Sequence, residues 1–340
     1  MTTNARYLLV LLALCVSCTA ALAASPADPY IGRWALTIPG GAAGWLGVEQ
    51  KDGYLDASIL WGGGSVLPVP VTPFVVNDEL FVMRLQNVEH RNDAGEVART
   101  LMLPEVLRAR VYGDTMELTR IQPHRDGIGI DEQNFTGKRI PPLPPAPDLS
   151  SVKRGKPVVL FDGSTLDKWK LVNANNTSAW TIEDGILVNK VVPRRRGGPQ
   201  VHYGNLRTVD EFEDFNLKLE VKVDQRQNSG VYLRGIYEVQ VTDSYGRDLD
   251  SHNMGGIYSR ITPTVAAEKP AGQWQTMDIT LCDRHVTVIL NGKNIIDNQP
   301  LLGCTGGALT SDEFKPGPIY LQGDHTAVSY RNIVLTPITK

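Results

Sequence analysis

Apolar and polar residues alternate at every second position in several stretches of this 340-residue chain, and this alternation limits its fold most. In residues 215–223 the apolar side chains fall on the odd positions, which gives an extended strand one apolar and one polar face. Asn291-Gly292 separates two further apolar runs and is the dipeptide that favours a type I′ hairpin turn. No long segment has helical periodicity. The sequence therefore predicts an all-β protein made of antiparallel strands.

A proline-rich stretch divides the chain. Five of the eight residues 140–147 are proline, which favours an extended spacer. We therefore predict a linker over residues 140–156, after a small β domain at 24–139 and before a β-sandwich at 157–340. Short strands separated by turn residues predict that the first domain is a small antiparallel barrel or sandwich. We interpret its three tryptophans, Trp34, Trp45 and Trp61, as core residues.

The first 23 residues have the pattern of a secretory signal peptide. Arg6 precedes an apolar run at 7–16, and Ala21-Leu22-Ala23 fits a cleavage site. The run is too short to span a membrane as a helix. We expect cleavage and a periplasmic or secreted protein. Lipoprotein processing at Cys18 is the less favoured alternative, because position 15 is cysteine where such sites usually have leucine.

The composition limits the classes of partner that the protein is expected to bind. The formal net charge is −3, which does not suit a nucleic-acid-binding protein, and we interpret the run Arg194-Arg195-Arg196 as a solvated loop. No later stretch reaches 18 apolar residues, so we expect no membrane span. We also expect no organic cofactor. Cys282 and Cys304 remain after cleavage, and the sequence predicts a disulfide between them, with two buried thiols as the alternative.

One strand face in residues 228–246 is unusually polar. From Val231 onward the odd positions are mostly apolar, whereas the even positions include Tyr232, Arg234, Glu238 and Gln240. A face that combines aromatic, charged and amide groups suits a saccharide. Gly235 is expected to mark a bend or a break.

Asp243 follows Glu238 by an odd number of residues, so it shares this face only if a β-bulge inserts one residue. The pattern E-x-Q-x-x-D then resembles the E-x-D-x-x-E strand of family 16 glycoside hydrolases. Such enzymes use two carboxylates as nucleophile and acid.

Motifs spread over residues 157–338 together resemble one bacterial family, the 3-keto-disaccharide hydrolases. The motifs are Leu160-Phe161-Asp162-Gly163 with Trp169, residues 180–187, Phe215, residues 228–234, residues 237–240, Gly256-Ile257-Tyr258, residues 270–274, Leu290-Asn291-Gly292, residues 317–322, His325, and Tyr330-Arg331-Asn332-Ile333. The resemblance implies a concanavalin A-like jelly-roll sandwich. It also implies action on glycosides whose C3 hydroxyl is oxidised to a ketone, and metal assistance in some members.

A ketone at C3 acidifies the C2 proton, so one base can start an elimination that expels the C1 substituent. Histidine titrates near neutral pH, and His325 is our candidate base. We expect Arg234 to stabilise the enolate oxygen and Glu238 or Asp243 to protonate the leaving group. In an alternative arrangement Glu238, Asp243 and His325 hold a divalent cation that polarises the ketone. Gly323 interrupts the usual Gln-Asp-His of the family, which puts the position of His325 in question.

The remaining polar and aromatic residues of these motifs are assigned to sugar binding. They are Asn228, Tyr232, Gln240, Tyr258 and Gln322. The predicted partner is an oxidised disaccharide, oligosaccharide or glycoside, and the sequence predicts no oligomeric state. Two other functions stay open. One is a non-catalytic carbohydrate-binding module, and the other is an ordinary glycoside hydrolase with two carboxylates.

Overall fold

The computed structural model describes residues 25–192 and 201–339, and it is all-β, as predicted. The predictions for residues 1–23 and for Arg194-Arg195-Arg196 lie outside the described residues. A short 3-10 helix at Asp28–Tyr30 precedes the first strand. No helix among the described residues is long and apolar enough to cross a membrane.

The N-terminal half forms one antiparallel sheet of nine strands. They are β1 Gly32–Thr37, β2 Ala43–Lys51, β3 Tyr54–Trp61, β4 Leu67–Pro68, β5 Phe74–Val76, β6 Glu79–Arg91, β7 Val97–Tyr112, β8 Thr115–Pro123 and β9 Ile130–Arg139. The order is β4-β3-β2-β1-β9-β8-β7-β6-β5, and only residues 69–73 separate the two edge strands along the chain. One apolar cluster contains residues from seven of these strands, so the sheet curls around a single interior in the manner of a barrel.

Two sheets make up the C-terminal half. The strands are β10 Lys153–Arg154, β11 Val158–Phe161, β12 Trp169–Leu171, β13 Trp180–Glu183, β14 Ile186–Asn189, β15 Leu206–Thr208, β16 Phe215–Lys222, β17 Asn228–Leu233, β18 Tyr237–Thr242, β19 Gln275–Cys282, β20 His285–Leu290, β21 Lys293–Pro300, β22 Tyr320–Leu321 and β23 Val328–Thr339. One sheet has the order β13-β14-β23-β16-β19-β20-β21, with β10 and β11 also paired to β23; the other has the order β12-β15-β22-β17-β18.

The alternation in residues 215–223 has the predicted consequence. Leu217, Leu219 and Val221 of β16 are buried in one core together with Val231 and Val239 of the five-stranded sheet. The two sheets therefore pack face to face as a sandwich. The Asn291-Gly292 hairpin is also present, because β20 and β21 pair on either side of it.

The barrel and the sandwich share part of this core. Trp45 of β2 is buried in the sandwich cluster, and the guanidinium carbon of Arg260 lies 4.6 Å from the centroid of its ring. The Ser311 hydroxyl donates a 2.6 Å hydrogen bond to the carbonyl oxygen of Leu36. Trp34 is fully buried as predicted, whereas Trp61 is only half-buried.

The predicted disulfide is wrong. Cys282 and Cys304 are both buried, and their sulfur atoms face different neighbours. The Cys282 sulfur lies 3.9 Å from a carboxylate oxygen of Asp214, and the Cys304 sulfur lies 3.9 Å from the carbonyl oxygen of Gly44 in the barrel. The alternative of two buried thiols is the one that the structure has. Spacing along the chain did not reveal that Cys304 belongs to the contact between domains.

Candidate functional site

The polar face predicted for residues 228–246 lies on the five-stranded sheet. Strands β17 and β18 pair without a register shift, so that Tyr232 lies opposite Glu238 and Gly230 lies opposite Gln240. Strand β22 continues the row by placing Tyr320 beside Tyr232. The two phenol rings stack with centroids 4.3 Å apart. One face of the sheet thus presents Tyr320, Tyr232 and Glu238 side by side.

Glu238 is buried, with 3% of its surface exposed, and Gly230 leaves the space that its carboxyl group occupies. A Cβ atom at position 230 would lie 2.3 Å from the nearer carboxylate oxygen. The other oxygen, Oε2, is 2.8 Å from the Tyr232 hydroxyl, which is also 2.8 Å from the carbonyl oxygen of Gly306.

Burial raises the pKa of Glu238 to about 8, and the nearby charge of Asp324 acts in the same direction, against the hydrogen bond from Tyr232. At neutral pH the carboxyl group is therefore mainly protonated. Its proton can be donated to the Tyr232 oxygen while Tyr232 donates to Gly306, which satisfies both hydroxyl groups. The arrangement holds a neutral carboxylic acid on the site face.

Asp324 and His325 form an ion-paired dyad beside this acid. His325 Nδ1 lies 2.5 Å from a carboxylate oxygen of Asp324, and both side chains are nearly half exposed. This hydrogen bond and the charge of Asp324 raise the pKa of His325 above its ordinary value of 6.5, although partial burial opposes the shift. Burial alone would raise the pKa of Asp324, but His325 and the amide of Asn205 together hold it below the usual value. On the other side of the ring, Nε2 of His325 lies 3.3 Å from the Asn228 amide nitrogen, which can donate a hydrogen bond to it.

Gly323, which separates Gln322 from Asp324, helps to fix this dyad. Its N–H donates a 2.7 Å hydrogen bond to the Asn205 side-chain oxygen, and its carbonyl accepts one from Asn189. A Cβ atom at this position would lie 2.3 Å from the ring of Trp180. The inserted glycine therefore packs into the sheet, and the dyad follows it directly.

Amide groups on the same face offer hydrogen bonds to a ligand. The Oδ1 of Asn228 and the Oε1 of Gln322 are buried, and neither has a hydrogen-bond partner among the described residues. Buried polar atoms usually have partners, so these two are candidates to meet sugar hydroxyls. Gln240 differs, because its Oε1 accepts a 3.1 Å hydrogen bond from the N–H of Val241. Tyr258 is half-buried at the edge, and its N–H donates to the Glu238 carbonyl.

The predicted placement of Arg234 on this face is wrong. Strand β17 ends at Leu233, and Arg234 adopts a left-handed backbone conformation with φ of 54° in the turn that follows. Its buried guanidinium donates to the carbonyl oxygens of Glu313 and Lys315. The strand ends before the alternation can carry Arg234 to the face of Tyr232.

Asp243 is also misplaced by the sequence prediction. Strand β18 ends at Thr242, and its regular pairing with β17 contains no bulge, so the bulge that would bring Asp243 onto the face of Glu238 is missing. Its carboxylate accepts a 3.0 Å hydrogen bond from the N–H of Arg226. The two-carboxylate pattern that resembled family 16 therefore does not form between Glu238 and Asp243.

The three predicted metal ligands do not form a close group among the described residues. Asp243 lies beyond the end of β18, and the Glu238 carboxyl group is hydrogen-bonded to Tyr232. The described part of the chain brings together one other group of acidic and thiol side chains, Asp214, Cys282 and Asp283. There the Asp283 N–H donates a 3.1 Å hydrogen bond to Asp214.

The site also contains residues that sequence reasoning did not assign. Tyr320 and Asp324 lie within the motif at residues 317–325, and that membership was the available signal. Asn205 donates a 3.0 Å hydrogen bond to the Tyr320 hydroxyl from a segment without a motif. His252 packs its ring edge-on against Tyr258, with centroids 4.9 Å apart. Proximity in sequence was the only hint for His252.

Known proteins resemble the C-terminal half of the chain. The family model described as a 3-keto-alpha-glucoside-1,2-lyase-like domain matches residues 156–336, which is more than half of the chain. A protein of Bacteroides thetaiotaomicron named 3-keto-disaccharide hydrolase is 26% identical over an alignment of 171 residues, and the match covers 41% of this chain and 57% of that protein. The chain thus spans little more than half the length of this curated relative.

Solved structures give matches of the same extent. A proposed glycosyl hydrolase from Parabacteroides distasonis is 28% identical, with a TM-score of 0.42 over 58% of this chain and 93% of the other. A carbohydrate-binding module from Bacillus subtilis is 12% identical, with a TM-score of 0.32 over 49% of this chain and 93% of the other.

Proposed function

The chain belongs to the 3-keto-alpha-glucoside-1,2-lyase-like family, and on this premise we propose that it cleaves glycosides whose C3 hydroxyl group has been oxidised to a ketone. The observation that supports the proposal most is that the buried carboxyl group of Glu238 lies on the same sheet face as the Asp324–His325 dyad. The curated relative of B. thetaiotaomicron carries a name that states such an activity.

The chemistry needs one base and one acid. The base removes the proton from C2, and the electrons of that bond form an enolate at C3. The enolate then re-forms the ketone, a double bond forms between C1 and C2, and the bond from C1 to the leaving oxygen breaks. The acid gives that oxygen its proton. Addition of water at C1 and of a proton at C2 completes a net hydrolysis.

His325 is the proposed base. Asp324 accepts from Nδ1, which leaves Nε2 unprotonated in the neutral ring and directed to the Asn228 side of the site. Because Asp324 raises the pKa of His325, the imidazole is a stronger base than an isolated histidine once it is neutral. Its partial exposure lets a sugar ring approach.

Glu238 is the proposed acid. Its carboxyl group is protonated at neutral pH, and Tyr232 holds it in place. After it protonates the leaving group, the carboxylate can take a proton from the water that adds to C1. In place of the predicted arginine, the side-chain N–H groups of Asn228 and Gln322 are the proposed donors to the enolate oxygen, while their amide oxygens accept from sugar hydroxyl groups.

A second candidate is hydrolysis of an unoxidised glycoside. This reaction needs two carboxyl groups about 5–5.5 Å apart in a retaining enzyme. The charge of Asp324 acts on Glu238, so these two groups are neighbours and form the pair to consider. The engagement of Asp324 with His325 argues against a free nucleophile there.

The test offers the protein from residue 24 onward a 3-keto-glucoside and its unoxidised parent side by side, and follows release of the aglycone. We expect release from the ketone alone and its loss in His325→Ala. His124→Ala is the matched control, because His124 is also paired with an aspartate, Asp131, but lies in the barrel. A chelator arm reports whether a metal takes part.

The other outcomes each select another function. Release from the parent glycoside would support the two-carboxylate hydrolase, with loss in Asp324→Asn. Saturable binding of sugar without release from either compound would make the protein a carbohydrate-binding module. Equal activity in His325→Ala and in the wild type would remove His325 from its proposed role.

A further inference from the structure

One end of the N-terminal barrel contains a cavity of about 230 Å³. It lies where β3, β4 and the middle of β6 meet the loop at residues 62–66. Its lining combines apolar groups such as Trp61 and Leu67 with the polar groups of Ser65 and Arg84, and it includes Gly64. The mouths of small barrels commonly bind ligands, and typical sites for drug-sized ligands are about 300–1,000 Å³. This cavity therefore suits a single small ring.

The barrel interior is polar at this end. Glu105 of β7 is 1% exposed, and both Arg84 and Arg120 make ion pairs with its carboxylate. Each of these three residues lies an even number of positions from the buried apolar residues of its own strand. All three therefore face inward. Apolar residues of similar volume often replace a buried ion network at no loss of stability. A structural role alone therefore gives little reason for charges at this place.

Trp61 and Arg84 are the groups that could hold a ring there. Trp61 is only half-buried, unlike Trp34 and Trp45. The Arg84 side chain is 26% exposed, and its hydrogen bond to Glu105 uses Nη1. The guanidinium carbon of Arg84 lies 5.4 Å from the centroid of the Trp61 ring. An aromatic surface beside a guanidinium with further donors is suited to a sugar ring and its neighbouring hydroxyls.

Two residues that line this cavity contact residues that border the candidate active site. Ser65 lines the cavity, and its hydroxyl lies 2.9 Å from Nε2 of His252, whose ring packs against Tyr258. Gly64 lines it too and contacts Gly306 so closely that a Cβ atom on Gly306 would lie 1.9 Å from the Gly64 carbonyl oxygen. Gly306 is the residue whose carbonyl meets Tyr232 beside Glu238.

We propose that this cavity is a saccharide subsite that receives the sugar on the leaving-group side of the substrate. The assignment to the leaving-group side rests on the proposed function, in which Glu238 protonates the leaving oxygen. It adds that the barrel selects substrates whose aglycone is itself a sugar. It lies outside residues 156–336, which the family model matches.

The first test compares two 3-keto glucosides, one with a sugar and one with a methyl group as the aglycone. Arg84→Met is expected to raise KM for the disaccharide about tenfold, the size expected when a hydrogen bond to a charged group is lost. Its kcat and its KM for the methyl glycoside should match the wild type. Arg91→Met is the matched control, since Arg91 lies on the same strand and pairs with Glu89 on the surface.

A second test does not depend on catalysis. Calorimetry measures binding of the unoxidised disaccharide to the protein and to Arg84→Met and Trp61→Leu, after thermal unfolding has shown that each variant is folded. We expect both variants to lose about tenfold in affinity and Arg91→Met to lose none. Two variants are used so that a folding defect in one leaves the other informative.

The outcomes separate the subsite from the proposed reaction. If no keto glycoside is cleaved but both variants weaken disaccharide binding, the reaction is wrong and the subsite stands. If the disaccharide is cleaved and bound equally well by Arg84→Met, Trp61→Leu and Arg91→Met, the subsite is wrong and the reaction stands. An equal rise of KM for both glycosides in Arg84→Met also overturns the subsite.

Discussion

Two buried glutamates of the sandwich have the same kind of hydrogen-bond partner, a tyrosine, but the charges around them are opposite in sign. Glu238 and Glu313 each lie 2.8 Å from a buried tyrosine hydroxyl, that of Tyr232 and that of Tyr237. Burial raises the pKa of both carboxyl groups. Three arginines counteract this shift at Glu313, whereas at Glu238 the charge of Asp324 adds to it.

This difference distinguishes a carboxyl group with a structural role, Glu313, from one that can act as an acid in catalysis, Glu238. Arg33, Arg260 and Arg284 surround Glu313 at the contact between barrel and sandwich, and their charges oppose the rise in its pKa that burial causes. Arg234, which the sequence placed at the site, donates to the Glu313 backbone instead. Without a cation, Glu238 keeps a proton that it can transfer near neutral pH.

The largest expected effect comes from removal of this proton. Glu238→Gln keeps the shape and a hydrogen bond to Tyr232 but cannot donate a proton to a leaving group. We expect kcat on a 3-keto glucoside to fall by about 10²–10⁴, the usual contribution of general acid catalysis. Glycosides with an acidic phenol as the leaving group need less protonation and should lose much less. Equal losses for both leaving groups would contradict the role of Glu238 as acid.

The pH dependence of stability gives the next largest effect. Glu238 ionises near 4.5 in the unfolded chain and near 8 in the folded protein, so the folded state holds an extra proton between these values. Its contribution to stability is thus complete below pH 4.5 and is lost as the pH rises to about 8. The loss is of order 5 kcal/mol. Urea unfolding of the wild type and of Glu238→Gln at pH 5 to 8 measures it, and parallel curves would refute it.

Glu313 tests the other half of the comparison. Glu313→Ala leaves three arginines facing one another without a counter-charge, and the Tyr237 hydroxyl loses its acceptor. We expect the free energy of unfolding to fall by about 3–5 kcal/mol, as when one partner of a buried ion pair is removed. Urea unfolding gives the loss, and kcat of the folded protein should stay close to the wild-type value. A large fall in kcat with intact stability would place Glu313 in the site.

The fold was more accessible from the sequence than the site, for a physical reason. Alternation of period two reports burial directly, so residues 215–223 and the face of Tyr232 and Glu238 were assigned correctly. A site depends on where strands end and which distant segments meet. Leu233 ends its strand one residue before Arg234, and nothing in the local pattern marks that end. The contact of Ser65 with His252 joins residues 187 positions apart.

Asp243 should show the smallest effect, and it sharpens the comparison because it is the carboxylate that the sequence paired with Glu238. It lies just beyond the end of β18, and its hydrogen bond from the N–H of Arg226 joins two surface segments. Asp243→Asn keeps an oxygen to accept that bond. We expect kcat to be unchanged and the free energy of unfolding to change by no more than about 0.5 kcal/mol. A loss of activity as large as that in Glu238→Gln would mean that the two carboxyl groups act together after all. Glu313 would then have to be compared with the pair of Glu238 and Asp243 rather than with Glu238 alone.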